Sequence, residues 1–180
     1  MILCAGNSES FDFATPVGIG LVESAINTTR LCLMEAPAYL LFVGTAGSYG
    51  KHNIYDIVSS KSASNIELSF LQKQSYTPID NLIVSDESSI TSDVIINSSN
   101  YITTNDELSK KMSTLKIDLE NMEFFSIMRT AQEFNIPCGG IFIVTNKTNS
   151  DAHSTFITNH AMAMERLDTH VKELIAKGLA

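Results

Sequence analysis

This chain is poor in the groups that hold polyanions. Guanidinium comes only from Arg30, Arg129 and Arg166, which are scattered, and Lys and Arg together number 12 against 20 Asp and Glu, a formal net charge of -8. Polyanion binding depends on clustered cations that displace counterions. Nucleic acid and anionic membrane surfaces are therefore excluded as partners, and a small neutral substrate is compatible. Cysteine is also sparse: Cys4, Cys32 and Cys138 lie far apart in apolar surroundings. No CxxC pair exists, which excludes a zinc knuckle or a redox dithiol, and the odd count fits buried thiols in a reducing compartment. The chain does not open with a basic region, an apolar stretch and a cleavage site. Its longest apolar run, residues 38–43, is far too short to cross a bilayer, so the expected location is cytoplasmic. His52, His153, His160 and His170 are not spaced as metal ligands, and the last two read as structural residues of a helix. Neither a metal nor an organic cofactor is implied.

What is present is an ordinary globular composition. At 180 residues, 44% hydrophobic and 8% aromatic, the sequence fits a single domain, residues 1–180, with a continuous core. Short apolar runs at Ile2–Ala5, Tyr39–Val43, Val94–Ile96, Ile117–Glu120 and Ile141–Val144 read as buried strands. Helical patterns lie between them. Val22, Ala25, Ile26 and Leu33 share one helical face closed by Pro37, and Asn105 is placed to cap a short helix ending near Met112. Phe124, Ile127, Met128, Ala131 and Phe134 form an apolar stripe stopped by Pro137. The final helix presents Phe156, Ala163, Met164, Leu167, Val171 and Leu174 on one side. Strands alternating with helices predict an α/β domain, a mixed and mostly parallel β-sheet flanked by helices in a three-layer sandwich.

Ligands in such folds bind beyond the carboxyl ends of strands. The polar segments after each strand are therefore the candidates: 7–9, 45–49, 97–103, 121–123 and 145–149. Gly18-Ile19-Gly20 invites a dinucleotide reading, but Glu23 stands where the third glycine belongs, and close packing at a strand-to-helix turn explains the glycines better. The Gly44-Thr45-Ala46-Gly47-Ser48 segment reads as a glycine-rich turn, either a tight turn needing positive φ or a cradle of backbone N–H groups for an anion, sugar hydroxyl or base edge. Glu123, at the start of an apolar helix, either complements the helix dipole or accepts from two adjacent ribose hydroxyls. Asn146 both donates and accepts, which suits a heterocycle edge, although Asn also forms turns. Tyr101 can stack on a flat base or sit half-buried on a strand.

Together these segments resemble the nucleoside phosphorylase and nucleosidase family over most of the chain. Val17–Ala25 is similar to the family's Gly-Ile-Gly segment and first major helix, and Phe42–Gly47 to its central glycine-rich strand end. Glu120-Asn121-Met122-Glu123 carries its Met-Glu pair, and Val144-Thr145-Asn146 stands at its base-recognition loop. The resemblance implies cleavage of the N-glycosidic bond of a purine nucleoside by a homo-oligomer in which a neighbour completes the site. In it Glu123 holds the ribose hydroxyls with Met122 against the sugar, Tyr101 stacks on the base, the Ile102 backbone contacts the base, Thr45 lies near the nucleophile, and Gly47 is a further substrate-binding residue. Glu9 falls where methylthioadenosine nucleosidases place a water-activating glutamate. Asn146, where adenine-cleaving members commonly have Asp, implies a 6-oxopurine. The expected activity is phosphorylase-like, with phosphate as possible co-substrate. Two departures from the family are evident: residues 7–10 and 45–49 hold none of the arginines with which phosphorolytic members clamp phosphate, and the stretch between Glu9 and Val17 is too short for the family's early hairpin. The alternatives are a phosphate-independent hydrolase using Glu9, favoured by the first departure, and a catalytically silent nucleoside-binding or assembly protein, favoured by both.

Overall fold

The computed structural model describes residues 1–86, 88–92 and 94–179. In chain order the elements are β1 (Ile2–Cys4), β2 (Thr15–Pro16), α1 (Gly20–Glu35), β3 (Leu40–Ser48), β4 (Ile57–Ser60), β5 (Ser62–Ser64), α2 (Leu68–Leu71), β6 (Leu82–Val84), β7 (Ile95–Ser98), α3 (Asp106–Thr114), β8 (Leu119–Asn121), α4 (Phe124–Glu133), β9 (Cys138–Lys147) and α5 (Ala152–Ala176). The strands form one nine-stranded sheet in the order β2-β1-β3-β8-β7-β5-β6, with β9 pairing β3 and β4 beside it. Pairings β1–β2, β1–β3, β3–β9, β5–β7 and β7–β8 are parallel; β3–β8, β4–β9 and β5–β6 are antiparallel. This is the expected α/β domain with a mixed, mostly parallel sheet.

Helices cover both faces. On one, Ile127, Met128 and Ala131 of α4 pack with Phe42, Phe124 and Phe142 at the centre of the larger core. The three rings contact one another with centroids 5.0–6.3 Å apart. On the other face, Ala163, Leu167 and Val171 of α5 meet Val43 and Ile143. A smaller cluster holds Met112 of α3 against Tyr49 and Ile117. Asn105 caps α3 as expected, its Oδ1 accepting from the Leu108 N–H at 3.1 Å.

Three expectations need correction. Gly44–Ser48 is not a turn: β3 runs straight through it, paired with β9, and no residue in it has a positive φ. Glycine is required there for close approach. A Cβ on Gly44 would lie 2.9 Å from the Phe42 ring and 3.1 Å from a Glu9 carboxylate oxygen. Second, the apolar stripe of α1 faces outward, with Val22, Ile26 and Leu33 56–70% exposed. The helix instead buries Gly20, Ser24, Thr28 and Cys32. Third, Phe156 is half-buried at the mouth of a cavity rather than packed in the α5 core stripe. Among the described residues, no helix is long and apolar enough to cross a membrane.

Candidate functional site

A cavity of about 310 Å³ opens where segments ending or following β1, β3, β7, β8 and β9 converge. Glu9, Thr45, Gly47, Tyr101, Ile102, Met122, Glu123 and Asn146, the residues singled out from sequence, all line it. After β1 the chain reverses through Gly6 and Asn7, both at positive φ, and closes with reciprocal Gly6–Glu9 backbone hydrogen bonds of 3.1 and 2.9 Å. That turn aims Glu9 back at β3. The Thr45 N–H donates to Glu9 Oε2 at 2.8 Å and the Thr45 hydroxyl to Oε1 at 2.6 Å. The side chain is fixed from behind, and the remaining lone pairs of the carboxylate are available to a ligand.

Glu123 sits at the N-cap of α4 but does not cap it; Asn121 Oδ1 and Ser98 Oγ accept from the Phe124 and Phe125 N–H groups instead. Its carboxylate reaches the start of another helix. The Gly20 N–H of α1 donates to Oε1 at 3.0 Å, and Asn121 Nδ2 and the Met122 N–H donate to Oε2 at 3.1 and 3.2 Å. The dipole reading is thus met at α1, across 103 residues of sequence. Burial pushes the Glu123 carboxyl up to about 7, the Gly20 N–H pulls it down, and the Glu9 charge raises it again.

The rest of α1's first turn is also filled. The Leu21 N–H donates to Asn100 Oδ1 and the Ile19 N–H to Glu23 Oε2, at 2.9 and 3.1 Å. The Gly18-Ile19-Gly20 segment is therefore no dinucleotide cradle. Its glycines have φ of 93° and 80°, and a Cβ on Gly18 would meet Glu23 at 2.6 Å.

Asn146 faces the cavity because β3 and β9 change register between Ala46 and Gly47, leaving Thr145 as an extra residue. Such a bulge re-aims the next side chain. The Thr145 hydroxyl donates to Asn146 Oδ1 at 2.9 Å and Asn146 Nδ2 to the Lys147 carbonyl at 3.1 Å. One amide N–H and one oxygen lone pair remain for a ligand. Tyr101 and Ile102 stand 75% and 52% exposed at the rim.

Sequence reasoning missed Glu120, His153 and Phe156, which also line the cavity. Sequence places Glu120 at the end of a strand and at the head of the Met-Glu motif without giving it a role, and the candidate segment after β9 stops short of α5, whose first turns bring His153 and Phe156 to the mouth. No lysine or arginine lines the cavity among the described residues. Among the same residues no group of three His, Cys, Asp or Glu is placed to hold a metal ion.

The family model of the phosphorylase superfamily matches residues 82–176, more than half of the chain. The chain belongs to the phosphorylase superfamily. No curated protein matches it significantly. Among solved structures, a futalosine hydrolase mutant of Helicobacter pylori is 17% identical with a TM-score of 0.81, covering 98% of this chain and 97% of that one. The 5'-methylthioadenosine/S-adenosylhomocysteine nucleosidase of the same organism, with butyl-thio-DADMe-Immucillin-A, gives 19%, 0.77, 91% and 79%. The nucleosidase of S. pneumoniae with a transition-state inhibitor gives 16%, 0.73, 93% and 94%. At these identities the likeness shows the fold.

Proposed function

We propose that this chain is a nucleosidase, hydrolysing the N-glycosidic bond of a purine nucleoside without phosphate. The observation that carries this reading is the pair of carboxylates, Glu9 and Glu123, on one cavity, each fixed by backbone N–H groups. Two carboxylates repel a phosphate dianion, and the α1 N-terminus, an anion-binding position by its dipole, is occupied by Glu123, Asn100 and Glu23. The similarity to a solved futalosine hydrolase and a solved nucleosidase favours the same choice over phosphorolysis.

In this reading Glu123 accepts from the ribose hydroxyls and Met122 packs on the sugar. Tyr101 and the Ile102 backbone hold the base from above. The glycosidic electron pair leaves with the base as the sugar takes on oxocarbenium character. Water beside Thr45 and Gly47 attacks the anomeric carbon and Glu9 takes its proton, which returns to the departing base. Asn146 donates to a carbonyl on the base edge, which favours a 6-oxopurine. The protein is taken as a cytoplasmic homo-oligomer. Val22, Ile26 and Leu33 form an exposed apolar face on α1 that continues through Ile19 to the cavity mouth, and a second copy is the proposed cover.

The test is base release from inosine, guanosine, adenosine and a futalosine-type nucleoside, with and without phosphate. Release from a 6-oxopurine nucleoside at a rate independent of phosphate is expected. Release that requires phosphate, or none from any of these, would overturn the proposal.

A further inference from the structure

Between β7 and α3 the chain crosses the cavity mouth, and Tyr101 and Ile102 lie at the middle of that crossing. Among the described residues Tyr101 makes a single hydrogen bond, its N–H donating to Ser99 Oγ at 3.2 Å. The crossing is fastened at its two ends instead. At one end Asn100 Oδ1 accepts from the Leu21 N–H of α1 at 2.9 Å. Gly20 makes room for this contact, since a Cβ there would lie 2.8 Å from that oxygen. At the other end Thr103 is gripped twice by Glu120 of β8: its N–H donates to Oε1 at 3.0 Å and its hydroxyl to Oε2 at 2.7 Å. The Tyr49 hydroxyl donates to the same Oε2 at 2.7 Å.

Glu120 is 8% exposed and has no cationic partner among the described residues. Burying a carboxylate is costly unless donors surround it, and an apolar residue would suffice to pack a strand at this position. The three donors reach Glu120 from two segments, and two of them come from a single residue, Thr103. That gives the carboxylate the geometry of a clasp on the crossing segment.

We infer that Glu120 and Asn100 are positioning residues that strap residues 100–103 across the cavity, holding Tyr101 and Ile102 where they meet the base. The inference rests on the proposed reading that these two residues contact a base. Both attachments are made between the protein's own groups, so they hold the contact surface in the same way in ground and transition states. A contact made equally in ground and transition states changes KM and leaves kcat alone. Glu120 and Asn100 therefore act on binding, whereas Glu9 and Glu123 act on turnover.

The experiment compares hydrogen exchange at the Thr103 amide, and steady-state kinetics on the preferred nucleoside, in the full chain and in Glu120→Gln, Asn100→Ala, Thr103→Val and Thr103→Ser. In Glu120→Gln the Thr103 amide should lose protection by about tenfold or more, with β3 and β9 amides unchanged, and KM should rise about tenfold with kcat within about twofold. Thr103→Ser keeps both donors and should behave as the parent; Thr103→Val should fall between. If Glu120→Gln does not fold, Asn100→Ala and Thr103→Val carry the same expectation of raised KM. The exchange measurement needs no turnover, so it decides the strap even if the protein cleaves no nucleoside. Unchanged Thr103 protection in Glu120→Gln, or a loss of kcat at constant KM, overturns the inference. A change in base preference with Thr103 still protected would also overturn it, because Glu120 would then read the base directly.

Discussion

Replacing Glu123 by Gln gives a sharp test of the site, because one substitution must change both stability and activity with predictable pH dependence. The Glu123 carboxyl, ordinarily near 4.5, is held at about 7. The folded protein thus keeps this proton more tightly than the unfolded chain does. The associated stability is fully present below the ordinary carboxylate range and is lost as pH rises through about 7. The rise from 4.5 to about 7 corresponds to about 3 kcal/mol. For a chain of this length that is roughly 6–12 °C in melting midpoint between acid and mildly alkaline pH. The amide of the Glu123→Gln variant carries no such proton and resembles the protonated acid, so the two midpoints should lie close at acid pH and diverge as pH rises, with the variant the more stable; Glu120, also raised by burial, is common to both and cancels. Activity should run the other way, since a ribose clamp needs the ionised acceptor. In the parent protein kcat/KM should rise about tenfold per pH unit below about 7 and level off above it. In Glu123→Gln it should drop about 10²–10⁴-fold, the loss of two charge-assisted hydrogen bonds. Thermal melts and initial rates from acid to mildly alkaline pH provide both readouts. Parallel melting curves together with a flat kcat/KM profile would refute the burial argument and the clamp.

Further outcomes follow from the same geometry. Glu9→Gln should retain the Thr45 contact and bind nucleoside as the parent does by calorimetry, while kcat falls about 10²–10⁴-fold; unchanged turnover would remove Glu9 from the chemistry. Asn146→Asp offers a carboxyl in place of an amide donor and should shift the ratio of kcat/KM from 6-oxopurine nucleosides toward adenosine, read by base release from each. Val22→Lys with Ile26→Lys should yield monomers in light scattering at unchanged melting midpoint, because both positions are exposed; a persisting oligomer would show that α1 is not the contact face.

The positions of the candidate residues were legible because the rule used to find them is topological. Polar segments after buried strands converge in an α/β sheet whatever the identity of the strands, and the segments carrying Glu9, Tyr101, Glu123 and Asn146 all reach one cavity. What could not be read was how each side chain is held. Glu123 depends on a backbone N–H 103 residues away, and Asn146 on a register shift against β3 that shows only once the two strands are paired. The glycines of 44–48 looked like a turn because glycine signals both unusual φ and close approach. The aromatic ring and the carboxylate that demand the space at Gly44 are not visible in the local sequence. Glu120 escaped notice for a similar reason: its partners Tyr49 and Thr103 come from other segments.

The reversed face of α1 connects the fold to the site. Periodicity assigns Val22, Ile26 and Leu33 to the core, yet α1 approaches α4 along Gly20, Ser24, Thr28 and Cys32. The Ser24 hydroxyl donates to the Gly20 carbonyl at 2.6 Å and lies 2.5 Å from the Ser126 hydroxyl. The distance between packed helices depends on the side chains at their contact, and small side chains bring α1 close. That closeness sets the first turn of α1 against the cavity, with the Gly20 N–H on Glu123 and the Leu21 N–H on Asn100. An apolar seam of Val and Ile would bury more area but would hold α1 farther from α4, withdrawing both amides. The proposed ribose clamp and the proposed strap would then lose their fixed points together. On this argument the weakly apolar seam is a requirement of the site, and the apolar residues it displaces outward become the face available to a second copy.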